Sequence, residues 1–151
     1  MPAPATRTVL SFDFGLRRIG VAVGNTLTGT AEALATIDAR DGEPDWQAIG
    51  RCVADWRPSA IVVGVPYNMT GPSAAMTTAA LKFADQLGEQ YGIEVHRVDE
   101  RLSSREAEDD LRERRRSGGK TKRVRRGDVD REAARILLLH WLRAQPGEAA
   151  R

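Results

Sequence analysis

Asp13, Glu100 and Asp130 are the residues whose type and placing could do chemistry in this sequence. Asp13 stands inside an apolar run, between Phe12 and Phe14. Glu100 follows a second such run, residues 93–98, and Asp130 opens the last amphipathic segment. An acid in the middle of an apolar strand is costly unless compensated, so Asp13 reads as functional. Carboxylates that converge from strand ends and a helix N-terminus can hold Mg²⁺ or Mn²⁺, both of which prefer oxygen ligands. Two such ions, roughly 3.5–4 Å apart, activate a water and stabilise the leaving oxygen in phosphodiester cleavage.

Each acid also has a plainer role open to it. Asp13 could pair with Arg17 or Arg18 as a structural turn. Asp130 could be a helix N-cap. Glu100 could pair at the surface with Arg101 or Arg105. Asp99 competes with Glu100 for the site, because adjacent residues on an extended chain point to opposite sides.

The elements that must position these acids follow from periodicity. Residues 7–14 and 18–24 read as two strands joined by a link short enough for a hairpin. Residues 28–37 form a third strand. Trp46, Ile49, Val53 and Trp56 then recur on one helical face, with Pro44 near the helix start and Pro58 closing it. Residues 60–65 (AIVVGV) read as a strand buried on both faces, and residues 66–73 as a loop. Met76, Ala80, Phe83, Leu87 and Tyr91 mark a second helix stopped by Gly92.

Residues 93–98 are a fifth strand. Ser103 and Glu106 have capping-box spacing for a charged helix running to about residue 115. Ser117, Gly118 and Gly119 break that helix. A basic loop spans about residues 117–127. Asp128 or Asp130 then caps a last helix carrying Ala133, Ile136, Leu137, His140 and Trp141. Residues from about 145 to 151 read as a frayed tail. This order predicts one α/β domain over residues 1–151, a five-stranded mixed sheet with helices on both faces.

Charge is uneven. The chain carries 23 Lys and Arg against 21 Asp and Glu, a net of +2. Residues 112–126 alone hold nine basic residues and one acid, leaving an acidic body. A basic tract on such a body suits a polyanion, with salt-sensitive binding, although a solvated helix end and loop would read the same way. Lys120, Lys122, Arg123, Arg125 and Arg126 are the contacts expected there. The tract has no aromatic residue for base stacking. Arg17, Arg18 and Arg101 flank the acids, where they could hold phosphate or damp repulsion between carboxylates. Asn68 and Tyr67 could reach a base, or Tyr67 could pack on the sheet.

The three tryptophans fall on apolar stripes, as core or interface. His96 and His140 read as structural, and Cys52 as a buried small hydrophobe. One cysteine permits no intrachain disulfide, which suits a reducing compartment. Residues 1–8 lack the apolar core of a signal peptide. No apolar run approaches the ~18–20 residues of a membrane span. The expectation is a soluble cytoplasmic protein with no membrane partner.

Four blocks in order resemble the YqgF (RuvX) family. They are Asp13-Phe14-Gly15 with 18–23 (RIGVAV), then 63–66 (VGVP) with Asn68-Met69 and Gly71. Next comes 99–103 (DERLS), and last Val129-Asp130 with Ala133-Ala134 and Ile136-Leu137-Leu138. They span residues 9–142. These are Holliday-junction-resolvase-like proteins, also described as nucleases of the 16S ribosomal RNA precursor. The resemblance implies an RNase H-like fold and matches Asp13, Glu100 and Asp130 to the family's acidic positions. Thr70 stands where the family usually has an acid, and Asp128 where a basic residue is common. Asp128 could add a fourth carboxylate to the site; the capping role comes first.

The leading expectation is therefore a divalent-metal-dependent nuclease acting on RNA, in 16S rRNA precursor processing. The same acids would serve a resolvase of four-way DNA junctions, which should be a homodimer with two active sites. A non-catalytic RNA-binding factor of ribosome biogenesis would keep the basic tract. An ATPase of the actin-like and sugar-kinase class also opens on an acid-and-glycine hairpin, but needs two such domains where this length gives one.

Overall fold

The computed structural model describes residues 7–67, 74–99 and 126–145. They form six strands and three helices: β1 (Thr8–Asp13), β2 (Arg18–Asn25), β3 (Thr30–Arg40), β4 (Glu43–Pro44), α1 (Trp46–Trp56), β5 (Ala60–Val65), α2 (Ala74–Tyr91), β6 (Glu94–Asp99) and α3 (Arg126–Ala144). The sheet order is β4-β3-β2-β1-β5-β6. The β1–β2, β2–β3 and β3–β4 pairs are antiparallel, while β5 runs parallel to both β1 and β6. The mixed sheet expected from the meander followed by α-linked strands is what forms.

Alternation along the strands divides the core in two. Leu10 and Phe12 of β1, Ile19, Val21 and Val23 of β2, and Ile61, Val63 and Val65 of β5 face α1 and α2. There Phe83 of α2 meets Phe12 edge-on, with ring centroids 5.7 Å apart. It also packs against Phe14 at 5.1 Å and Trp46 at 5.7 Å. Each such ring, fully buried, contributes ~1.5–3 kcal/mol relative to exposure. Val9, Ala22, Ala60 and Val62 turn to the other face and pack on Ala134, Leu137, Leu138 and Leu142 of α3. Every residue of β5 is buried, as a continuous apolar central strand demands.

The helix ends obey local chemistry. Asp45 caps α1 by accepting from the Ala48 backbone N–H at 3.2 Å. Arg57 then turns left-handed ahead of Pro58. Gly92, with φ of 63°, ends α2, its N–H donating to the Gly88 carbonyl at 2.9 Å.

Four boundaries differ from the sequence expectation. The sheet has a sixth strand, because Glu43 and Pro44 pair with the last two residues of β3. Pro44 consequently lies in that strand and not in α1; an edge position asks no ladder N–H of it. β3 runs on to Arg40, its weak alanine-rich sequence paired with β2 through one register shift between Val21 and Ala22. Finally, α3 begins at Arg126, so the last two residues of the expected basic loop are helical. Asp128 and Asp130 lie within the helix and do not cap it.

The helix expected to run to about residue 115, the rest of the basic loop and the tail from 146 onward lie outside the described residues. Among the described residues no helix is long and apolar enough to cross a membrane.

Candidate active site

Asp13 ends β1 on the face covered by α3, as its alternation with Val9 and Ser11 requires. A single row crosses the sheet on that face: Thr36 pairs with Gly20, Gly20 with Asp13, Asp13 with Gly64, and Gly64 with Val98. Glycines therefore stand on both sides of Asp13. The residues directly opposite Asp13 on β2 and β5 bring no side chain against it, which leaves room beside it for other groups.

On one side that room is taken by backbone. A Cβ placed on Gly20 would lie 1.8 Å from the carbonyl oxygen of Asp130 and 2.8 Å from the Arg131 nitrogen. Only glycine permits this approach, and it lays the second turn of α3 directly on the strand beside Asp13. Farther along β2, Gly24 makes the same allowance for the Leu138 side chain, 2.8 Å from its would-be Cβ. Gly20, Ala22 and Gly24 thus form a smooth strip for α3, a signal present in the sequence as small residues at every second position.

Three polar ties fix the helix on that strip. Ser11, fully buried on β1, donates its hydroxyl to the Ala134 carbonyl at 2.7 Å. Thr36 donates to the Gly127 carbonyl at 2.9 Å and accepts from Arg131 Nη1 at 3.1 Å. Arg131 Nη2 in turn holds Asp128 Oδ1 at 2.5 Å. Asp128 is engaged along its own helix. Sequence reasoning does not reach Ser11, Thr36 or Arg131; a lone serine inside an apolar strand is the one signal available.

Arg18 opens β2 on the same face, two residues before Gly20. Its Nε donates to Asp130 Oδ2 at 2.7 Å, with about a third of the Arg18 side chain and a quarter of Asp130 exposed. Arg17 is exposed beside it, and its carbonyl accepts from the Ala39 N–H at 2.8 Å. The neighbouring Leu16 carbonyl accepts from Gly42 at 3.0 Å, so the β3–β4 turn backs the link between β1 and β2.

The structure thus brings Asp13, Arg18 and Asp130 to one place, around Gly20. Asn68, Glu100, Arg101, Lys120, Lys122, Arg123 and Arg125 lie outside the described residues. Arg126 is described only as the first residue of α3. Among the described residues no group of three or more His, Cys, Asp or Glu side chains is gathered.

Asp99, the competitor of Glu100, sits on β6 at the parity of Val95 and Arg97, on the α2 side. His96 and Val98 take the α3 side, where the His96 ring lies 5.0 Å from Trp141 and bonds Glu94 at 2.6 Å. Tyr67 is 48% exposed and does not pack away on the sheet; Trp56 is likewise exposed at 41%. Cys52 is half-buried, and burial, followed by the charge of Asp55, pushes its thiol above the usual range.

A mixed sheet with an acid on its central strand, a helix laid beside that acid and two helices behind is the architecture of an RNase H-like domain. The chain belongs to the RuvX family, whose model, described as Holliday junction resolvase, matches residues 7–144. A relative from Pectobacterium atrosepticum named "Putative pre-16S rRNA nuclease" is 44% identical over 141 residues, covering 93% of this chain and 99% of its own. One of the same name from Marinobacter nauticus is 44% identical over 147 residues, covering 97% of this chain and 100% of its own.

Among solved structures, T. thermophilus RuvC in complex with Holliday junction substrate superposes with a TM-score of 0.58 at 21% identity. It covers 94% of this chain and 97% of that one. Fowlpox virus resolvase with Holliday junction DNA gives 0.53 at 13%, covering 93% and 99%. These two likenesses establish the fold. Family and relatives together fit a nuclease role.

Proposed function

We propose that the protein is a divalent-metal-dependent nuclease that hydrolyses phosphodiester bonds in RNA, acting on the 16S rRNA precursor in the cytoplasm as a single domain. The observation that carries this reading is the meeting of Asp13 and Asp130 over Gly20. The backbone of Asp130 is seated against the strand position next to Asp13 by a contact that only glycine allows. The donor set is all oxygen, which suits Mg²⁺ or Mn²⁺. Asp13 and Asp130 would hold the metal with Glu100, which directly follows the last residue of β6. The parity of Asp99 toward α2 supports Glu100 over its neighbour. A bound divalent ion supplies Lewis-acid polarisation of the phosphate and lowers the pKa of a water.

The chain's own residues do the rest. Arg17 offers positive charge at the rim beside Asp13. Asn68 and Arg101 would add contacts to the substrate. Lys120, Lys122, Arg123, Arg125 and Arg126 neutralise backbone phosphates leading into α3. The names carried by the relatives support RNA as substrate.

The family description favours a second reading, cleavage of four-way DNA junctions, which would require a homodimer with paired sites. The deciding experiment is cleavage by purified protein beside Asp13→Asn, with Mn²⁺, Mg²⁺ or EDTA. Substrates are a 16S precursor fragment, single-stranded RNA, single-stranded DNA and a four-way junction. Metal-dependent cutting of the precursor, abolished in the variant, is the expected result. Cutting that survives Asp13→Asn excludes the site, and preference for the junction by a dimer establishes the second reading.

A further inference from the structure

We propose that Arg18 is the internal counter-ion of this metal centre: it holds Asp130 in the metal-free protein, and a divalent ion binds against its charge. The proposal rests on the metal reading above and concerns what the chain does without the ion. Asp13 and Asp130 carry like charge on the α3 face of the sheet, on either side of the Gly20 contact, and α3 cannot retreat, because Gly20, Ser11 and Thr36 fix it to the sheet. A cation on this face offsets that like charge in the absence of a metal.

Arg18 is placed to do so. It lies on the same strand and face as Gly20, and its Nε–H meets Asp130 Oδ2 at 2.7 Å. The pair is partly shielded, with 32% and 24% of the two side chains exposed, so solvent screens it less than a surface pair. The contact occupies one carboxylate oxygen and fixes the orientation of the other. Arg18 also has Asp38 as its register partner on β3, on the same face. That second carboxylate gives the guanidinium a neighbour to lean toward when a metal takes up Asp130.

The consequence is opposite to that of removing a ligand. Taking away a positive charge next to a cation site makes the site more negative and tightens cation binding. It also leaves the metal-free carboxylates less compensated. Arg18 therefore keeps the empty site folded at some cost in metal affinity. Replacing a residue that only braced the fold would not raise affinity.

The test is Mn²⁺ binding to the metal-stripped full chain, by calorimetry and by electron paramagnetic resonance of the free ion, with melting curves alongside. Wild type, Arg18→Gln, Arg18→Lys and Asp13→Asn are compared. Arg18→Gln is expected to bind Mn²⁺ about five- to tenfold more tightly. Its metal-free melting point should fall, and Mn²⁺ should raise it by more than in wild type. Arg18→Lys keeps the charge and should bind as wild type does; it also serves if the glutamine variant does not fold. Equal or weaker binding by Arg18→Gln overturns the proposal alone, as does a lysine variant that binds more tightly than wild type. Wild-type protein that binds no more Mn²⁺ than Asp13→Asn overturns the metal reading itself.

Discussion

Gly20 and Asp130 touch backbone to backbone: the position a Gly20 side chain would start from is 1.8 Å from the Asp130 carbonyl oxygen. Even one methyl group there must move the helix or the strand. Gly20→Ala should destabilise the protein by ~2–3 kcal/mol, the upper range for overpacking. It should also lower metal-dependent cleavage beyond what the fall in stability explains, since Asp130 moves with the helix. Denaturant melts and cleavage rates at a temperature where the variant remains folded check this. Unchanged stability would mean that α3 does not lie where described.

Ser11 sits two residues before Asp13 on the same face, with its buried hydroxyl tied to the Ala134 carbonyl. Ser11→Ala removes a buried donor and should cost ~1–2 kcal/mol, read as a lower melting temperature. Ser11→Val removes the donor and adds a methyl group in a fully buried position, and should cost at least as much. A valine variant as stable as wild type would show that the hydrogen bond adds nothing net.

The basic tract should show itself through salt. Replacing Lys120, Lys122, Arg123 and Arg125 together with Gln should flatten the dependence of RNA affinity on log salt. Each phosphate that is no longer neutralised takes about 0.7–0.9 from the slope. Filter binding between low and moderate salt measures it. An unaltered slope would place the phosphate-binding residues elsewhere on the molecule.

Cys52 offers a check by pH. Burial and the nearby Asp55 carboxylate raise its thiol above the ordinary 9.0, so the folded protein keeps it protonated where an unfolded chain ionises. Alkylation by iodoacetamide at pH 8 should be slower than for a free cysteine and should speed up on unfolding. The linkage has one sign only. The thiol adds no destabilisation below the unfolded value, and stability falls as pH rises through and above 9.0. Cys52→Ala should remove that part of the alkaline decline. Alkylation as fast as in a denatured control would contradict the half-buried position.

Much of this is legible in the residues, for physical reasons that differ by element. β1, β2 and β5 carry enough alternating or continuous apolar character to declare themselves, and α1 and α2 show clean helical stripes ended by Arg57-Pro58 and Gly92. Asp13 stands out because a carboxylate among Phe12 and Phe14 is expensive. The short β4 is not legible, since two residues carry no period. The start of α3 is hidden because Arg126 and Gly127 are neither caps nor apolar, and what holds them is the remote Thr36. Arg18 reads both as a phosphate contact and as a damper between acids; its partner, 112 positions away, cannot be read from spacing.

The β3–β4 turn has a use beyond closing the sheet. Its Gly42 amide, with that of Ala39 near the end of β3, holds the carbonyls of Leu16 and Arg17, the link that leaves Asp13. The β2–β3 turn, residues 26–29, lies at the far end of the same strands and touches none of this. The hairpin thus has one end bound to the chemistry and one end free of it. An affinity tag or reporter domain spliced at Thr28 has a neutral port of entry. The same insert at Asp41 would reach the candidate site through two hydrogen bonds.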